Sequence, residues 1–228
     1  MQQPFFRGFL FCLAALSSQS VFSQNTFGVF AGPQITTAKY KIQDEKQPVQ
    51  FQAGLQLGAT IKVPFENNLY FAPALYYSKK GYKVRFNKPA FPPDSLALNN
   101  ETVLHTMEVA PMLHYDFGKK PGHFFLKLGP AIDIAFSGKE KFKTTEGKQI
   151  DRPMKFSFGD YGRFTAQAIL HFGYETPKGL LVFAHYGEGL GSLNNADGGP
   201  RIKHRIAGLS LGWYFNKNPN VIDTRVKE

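Results

Sequence analysis

The chain has 228 residues, of which 43% are hydrophobic and 15% aromatic, and its formal net charge is +10 at pH 7. This length suits one all-β domain, since sandwiches and barrels of roughly 200 residues commonly form a single domain. The single cysteine, Cys12, excludes an internal disulfide framework and a site with several cysteine ligands.

The N-terminal segment, residues 1–23, has the pattern of a secretory signal peptide. Arg7 precedes an apolar run that ends at Leu16, and a small and polar stretch follows up to Ser23. The run is too short for a transmembrane helix, which needs roughly 20 residues. We predict that Gln24 begins the mature chain, with an uncleaved signal anchor as the alternative. Export argues against nucleic acid as the partner of the basic chain.

Alternation with a period of two predicts eight β-strands in the mature chain. The clearest segment is 51–63, where Ala53, Leu55 and Leu57 alternate with small or polar residues. The full set lies at about 26–37, 51–63, 69–86, 102–117, 123–136, 157–174, 180–191 and 207–215. Four prolines inside these segments lack a ladder donor, so we expect bulges or breaks at Pro33, Pro73, Pro111 and Pro130.

The connections between these strands alternate in length. Short turns at 64–68, 118–122 and 175–179 follow the even-numbered strands. Longer polar loops follow the odd-numbered strands, at 38–50, 87–101, 137–156 and 192–201. This pattern predicts an antiparallel up-and-down transmembrane barrel with its short turns and both termini in the periplasm.

Periodicity does not say which face of each strand is apolar, and a soluble lipocalin-like barrel would bury its apolar face. Aromatic residues near the strand ends favour the membrane alternative, in which they form interfacial girdles. Polar residues in mid-strand then face a lumen. The predicted luminal polar network comprises Lys62, Glu108, Asp116, Lys127, Asp133, Arg163, Gln167 and His171. Ion-paired packing is favoured over a conduit, because eight strands leave little space inside.

Several segments together resemble the PorT-type family of outer-membrane β-barrels. They are 51–58, 75–81, 108–115, 128–131 and 209–215, in this order and spacing. The resemblance implies a single-chain barrel over 24–216 in the outer membrane of a Bacteroidetes-type bacterium, with some relatives tied to protein secretion. It carries over no catalytic residue. The chain departs from the pattern after Phe215, and we expect 217–228 to form a periplasmic tail.

Candidate chemistry is sparse in this sequence. No histidine pair has a recognised ligand spacing, and His185, Glu188 and Ser192 are only neighbours in sequence, so we expect neither a metal, a cofactor nor an enzymatic site. A basic cluster could hold glycolipid phosphates or could simply be solvated. It consists of Lys139, Lys141, Lys143, Lys148, Arg152 and Lys155.

The sequence therefore predicts a non-enzymatic outer-membrane barrel with a structural, adhesive or secretion-accessory role. A narrow pore, a small-ligand or lipid-binding barrel and a lipid-modifying enzyme are the alternatives. The expected partners are outer-membrane lipid, lipopolysaccharide and a protein of a secretion or envelope complex.

Overall fold

The structure, a computed structural model, describes residues 25–215. The predicted signal peptide, its cleavage point and the predicted tail at 217–228 lie outside these residues. The strands are Thr26–Ile42 (β1), Glu45–Lys46 (β2), Val49–Gln50 (β3), Gln52–Glu66 (β4), Leu69–Phe71 (β5), Ala74–Arg85 (β6), Asn99–Ala110 (β7), Leu113–Phe117 (β8), His123–Lys143 (β9), Gln149–Pro153 (β10), Phe164–Glu175 (β11), Leu180–Gly189 (β12) and Arg201–Phe215 (β13). Residues 25–215 contain no helix that is long and apolar enough to cross a membrane.

The strands pair into a closed antiparallel ring of eight. β1 pairs with both β4 and β13, and β9 pairs with β11 on one side and with β7 and β8 on the other. Two of the eight ring strands are interrupted. The third ring strand consists of β5 and β6, and the fourth consists of β7 and β8. The remaining pairings join β11 to β12 and β12 to β13. The predicted eight-stranded up-and-down β-barrel is thus confirmed.

Prolines interrupt the ladders where we expected bulges or breaks. Pro73 separates β5 from β6, and Pro111 separates β7 from β8. Pro33 lies inside β1, where the ladder to β13 skips it and Gly32. Pro130 lies inside β9 opposite the interruption at Pro111. Each break is local because a proline removes only one ladder donor.

The strands extend further at the loop end than the alternation predicted. β1 continues to Ile42 and β13 begins at Arg201, while β9 continues to Lys143 and forms a hairpin with β10. The sixth strand, in contrast, begins at Phe164 rather than 157. The extensions of β1, β9 and β13 were missed because their outer faces are polar rather than apolar. The alternation continues there in the opposite sense, with buried Ala38 and Tyr40 on either side of exposed Lys39.

The apolar side chains point outward. Leu209 and Leu211 on β13 are 64% and 60% exposed, whereas the alternating Ser210 and Tyr214 are buried. An aromatic girdle surrounds the short-turn end of the outer face, where lipid head groups meet the hydrocarbon. It contains Phe27, Phe71, Tyr115, Phe117, Phe124, Phe172, Tyr174, Trp213 and Phe215.

Side chains fill the interior in layers. An apolar cluster near the short turns includes Phe30, Tyr76, Met112, Phe125 and Phe183. A second one near the loops includes Tyr40, Tyr82, Leu104, Tyr161 and Ile202. Small residues on facing strands make room for these rings, and at Gly58 an added Cβ would lie only 2.1 Å from the Cβ of Tyr76.

Candidate functional site

Most of the predicted luminal residues lie inside the barrel. Lys62, Glu108, Asp116, Lys127, Asp133, Gln167 and His171 are all buried. Arg163 is the exception, because it precedes the first residue of β11 and its side chain is exposed. Its guanidinium donates to the carbonyl of Ala135 at 3.3 Å and lies over the ring of Phe156. Arg163 is therefore not part of the ion-paired network, although it borders a small cavity beside Lys80.

A charged network occupies the middle of the lumen. The Nζ of Lys80 lies 2.7 Å from Oε1 of Glu108 and 2.8 Å from Oδ2 of Asp133. The amide of Gln167 donates to both carboxylates, at 2.8 Å to Oδ1 of Asp133. Thr165 adds a hydrogen bond of 3.1 Å to Asp133. These bonds compensate charges whose burial would otherwise be strongly unfavourable.

Sequence reasoning missed Lys80. It lies in a basic segment with Lys79, Lys83 and Arg85, and it is not among the predicted luminal residues. The signal that was missed is the alternation along β6, because Lys80 lies an even number of residues from Tyr76 and Tyr82 and therefore points inward with them.

A second charged cluster lies at the short-turn end, and we refer to it as the mouth cluster. It consists of Lys62, His114, Asp116, His123 and Glu175. The Nζ of Lys62 lies 2.6 Å from Oδ2 of Asp116 and 3.2 Å from Oε2 of Glu175. The Nε2 atoms of His114 and His123 lie 2.5 and 3.0 Å from Oδ1 of Asp116. Neither histidine nor Glu175 was among the predicted luminal residues.

Lys127 and His171 lie between the two networks, in more apolar surroundings. Lys127 donates to the hydroxyl of Tyr214 at 3.0 Å. The ring of His171 stacks on Phe183 with a centroid distance of 4.9 Å. Two of the predicted network residues therefore have aromatic partners rather than carboxylates.

The loop end of the lumen is covered by packed segments. Buried Glu140 accepts hydrogen bonds from Arg152 at 2.7 Å and from the hydroxyl of Tyr161 at 2.9 Å. Arg152 also donates to the carbonyl of Pro93 at 2.7 Å, and Tyr40 donates to Pro92. These bonds tie the connections at 86–98 and 154–163 to the upper apolar cluster.

Little space is left between the layers. A cavity beside Lys80 and His204 and another beside Gln56 and His185 each measure about 10 Å³. A volume of this size holds about one water molecule. A larger cavity of about 340 Å³ lies at the loop end, where Val49, Lys83 and Lys141 are among its lining residues.

The residues of the basic cluster have different environments. Lys139, Lys141 and Lys143 form one row of exposed side chains on β9, and Lys148 and Lys155 are exposed in the adjoining turn and loop. Lys141 forms an ion pair with Asp151 at 3.0 Å. Arg152 instead forms an ion pair with buried Glu140, so its guanidinium is already engaged within the protein.

A second basic surface, which sequence reasoning did not identify, lies on β1 and β13. We refer to it as the β1–β13 basic surface, and it comprises Lys39, Lys41, Arg201, Lys203 and Arg205. In the ladder, Lys39 pairs with Lys203 and Lys41 with Arg201. The pair Thr37 and Arg205 separates them from the apolar pair Ile35 and Ala207. The signal that was missed is again the alternation of inward and outward residues, which continues beyond the apolar part of each strand.

The carboxylate of Glu188 forms ion pairs with two cations of this surface. Glu188 lies 2.5 Å from the Nζ of Lys39 and 2.9 Å from the Nε of Arg205. Partial burial raises the pKa of Glu188, but hydrogen bonds from Lys39, Tyr186 and Arg205 outweigh it and lower the pKa to about 2. The carboxylate therefore stays ionised at neutral pH, and the surface keeps an excess of positive charge.

The structure does not bring together the residues considered for a hydrolase triad. The Nδ1 of His185 faces the lumen, 3.2 Å from the amide of Gln56 and 3.4 Å from Ser210. Glu188 faces the outer surface, and Ser192 accepts backbone hydrogen bonds from Asn194 and Ile202. His185 thus has neither of its two sequence neighbours as a partner.

Solved structures that are similar to this chain include three bacterial proteins. The attachment invasion locus protein Ail of Yersinia pestis, solved with the heparin analogue sucrose octasulfate, is 13% identical over 84% of this chain and 99% of that chain, with a TM-score of 0.45. Neisserial surface protein A is 12% identical over 83% and 97%, with a TM-score of 0.43. OprG of Pseudomonas aeruginosa is 13% identical over 84% and 96%, with a TM-score of 0.41.

No curated protein sequence matches the chain. The family model for the outer membrane protein beta-barrel domain matches residues 19–195, which is most of the chain. With the closed ring of strands and the outward apolar face, this match shows that the chain belongs to the outer membrane protein beta-barrel domain family.

Proposed function

We propose that this protein is a non-conducting, non-enzymatic outer-membrane barrel that acts through its extracellular end, in a structural, adhesive or secretion-accessory role. The observation that carries the proposal is the filled lumen. Ion-paired layers alternate with apolar layers along the barrel, and the connections at 86–98 and 154–163 pack over its loop end.

Ion permeation would require several buried contacts to break together. The ammonium of Lys80 is held between two carboxylates, and its side chain is only 1% exposed. Moving it away would leave Glu108 and Asp133 buried without their counter-ion, which is strongly unfavourable in a low-dielectric interior. A steady open pathway is therefore not expected from this arrangement.

Single-channel recording tests this proposal. Purified protein in a planar bilayer is expected to give no stepwise conductance, while a general porin in the same bilayer gives clear steps. Deletion of residues 87–97 removes the covering contacts of Pro92 and Pro93. This variant shows whether the connection itself blocks a conducting lumen. Steady, protein-dependent conductance from the wild type would overturn the proposal in favour of the narrow pore.

The basic outer surfaces favour a second candidate function, the binding of phosphorylated glycolipid. The β1–β13 basic surface lies just above the apolar band, at the height where phosphates of outer-leaflet glycolipid meet the barrel wall. Charge-assisted bonds from lysine and arginine to phosphate are roughly twice as strong as neutral ones. The row of lysines on β9 offers the same chemistry on another side of the wall.

Quantifying lipopolysaccharide that co-purifies in mild detergent tests this second function. Triple glutamine substitution of Lys39, Lys203 and Arg205 is expected to reduce the bound glycolipid several-fold. The same change at Lys139, Lys141 and Lys143 shows how much the β9 row contributes. The matched control is triple glutamine substitution of Lys119, Lys120 and Lys178 in the short turns. Equal retention by all three variants would contradict the proposal.

The secretion-accessory role rests on the resemblance to PorT-type barrels, and the adhesive role is an expectation from the sequence without that support. Both remain predictions. Identification of proteins that co-purify in mild detergent would test both. An accessory role requires a specific envelope partner, which should remain bound when the basic surfaces are neutralised.

A further inference from the structure

The mouth cluster combines ligand types that are distant in the sequence. His114 and Asp116 come from β8, His123 is the first residue of β9, and Glu175 is the last residue of β11. The turn at 118–122 folds β9 back on β8, and the ladder places Glu175 directly opposite His123. Two imidazoles and two carboxylates therefore meet at the periplasmic end of the barrel.

The ring of His123 is oriented by the turn that precedes it. Its Nδ1 lies 3.0 Å from the carbonyl oxygen of Lys120, and because a carbonyl only accepts, Nδ1 must carry a hydrogen. The remaining nitrogen, Nε2, then faces the cluster. A backbone carbonyl on the second nitrogen is the arrangement that fixes the tautomer of a metal-binding histidine.

The Nε2 of His123 is buried and lies within ion-pair distance of two carboxylates, but it forms no hydrogen bond of good geometry among the described residues. It lies 3.0 Å from Oδ1 of Asp116 and 3.5 Å from Oε2 of Glu175, and its side chain is only 9% exposed. A neutral imidazole would direct a lone pair toward two carboxylates. This arrangement therefore requires a cation, either a proton on Nε2 or a metal ion shared with the carboxylates.

The other donors are close enough to share one ion. A ring nitrogen of His114 and a carboxylate oxygen from each of Asp116 and Glu175 lie within 4.8 Å of one another, and all three residues are buried. Imidazole nitrogen and carboxylate oxygen are ligands of zinc and of other divalent first-row metals. Small side-chain rotations would bring them to about 2.0–2.2 Å from a common centre.

Lys62 modulates this site. Its ammonium lies on Oδ2 of Asp116, whereas both histidines approach Oδ1. It also lies 3.2 Å from Oε2 of Glu175, so it competes with a metal ion for that oxygen. The competition predicts reversible binding rather than a permanently filled structural site.

We propose that His123, Asp116, Glu175 and His114 form a binding site for a divalent transition-metal ion, with zinc as the best match to the ligands. The bound ion links β8, β9 and β11 at the periplasmic mouth. This site is independent of the extracellular role proposed above, and it departs from the expectation of no metal because the fold, not the spacing, assembles the ligands.

Calorimetric titration with Zn²⁺ tests the proposal on the mature protein, refolded in detergent without a polyhistidine tag and stripped of metal by a chelator. The wild type is expected to bind one equivalent. The substitution His123→Gln should weaken binding about tenfold or more. The matched control is His105→Gln, because His105 lies on the outer wall beside Tyr77, away from the cluster.

Two further measurements make the result decisive. The wild type loaded with Co²⁺ should show the visible absorption of a nitrogen- and oxygen-ligated ion, and His123→Gln should lose it. Lys62→Met should bind Zn²⁺ more tightly, because the competing ammonium is gone. Heat-modifiable gel migration establishes that each variant is folded. The absence of saturable binding in the wild type, or equal binding by His123→Gln and His105→Gln, would overturn the proposal and leave a proton as the cation.

Discussion

Lys80 shows how a single side chain determines the packing of the lumen. Its ammonium is the counter-ion of both Glu108 and Asp133, and all three groups are at most 5% exposed. Gln167 bridges the two carboxylates from β11. Because removal of one partner leaves an uncompensated buried charge, this residue has more influence on stability than any exposed ion pair of the chain.

Replacement of Lys80 by methionine is expected to reduce the free energy of unfolding by about 3–5 kcal/mol, the usual cost of breaking a buried pair. Urea-dependent unfolding from lipid vesicles, followed by fluorescence of Trp213, measures the change. Lys79→Met is the matched control because the neighbouring side chain points outward. Similar stabilities for the two variants would contradict the assigned role of Lys80.

At the scale of elements, β13 combines two environments along one strand. Its outward residues are apolar from Ala207 to Phe215 and basic from Arg201 to Arg205, while its inward residues are buried except for the half-buried Gly208. The change in character marks the upper boundary of the bilayer. Alternation alone therefore predicted only the lower part of the strand, and pairing with β1 continues above it.

Insertion of a charge on the lower part should be costly. Leu209→Arg is expected to destabilise the barrel by about 2–4 kcal/mol, the cost of arginine near the bilayer midplane, because Leu209 lies midway between Trp213 of the girdle and the basic Arg205. Leu96→Arg is the control, since this leucine is 45% exposed in the connection at 86–98. Refolding into vesicles at graded urea concentrations compares the two, and an equal effect would indicate that β13 does not face lipid there.

At the scale of the whole molecule, closure of the ring leaves no free strand edge among the eight barrel strands. The closed barrel should therefore resist detergent at room temperature and unfold only on boiling. We expect a faster-migrating band for unboiled protein on a gel. Identical migration before and after boiling would be inconsistent with a closed barrel.

Processing of the N-terminus gives a further prediction for the whole chain. The signal pattern predicts cleavage after Ser23, so N-terminal sequencing of protein isolated from outer membranes should begin at Gln24. Retention of the segment that contains Cys12 would support the signal anchor instead. Labelling with a thiol reagent distinguishes the two, since Cys12 is the only cysteine.

The sequence by itself determined the strand number, the barrel topology and the outward apolar face. The strand number and the topology depend on a local period of two and on the alternating lengths of the connections. The outward direction of the apolar face depends on the aromatic residues near the strand ends and on the polar residues in mid-strand. The tertiary structure alone decided which inward side chains meet. Glu108 contacts Lys80 and Glu175 contacts His123, because the register and the stagger of the strands determine which side chains meet in the lumen. Local spacing carries no information about that stagger, so the sequence placed Lys62 and Asp116 in the lumen but could not bring His114, His123 and Glu175 to them.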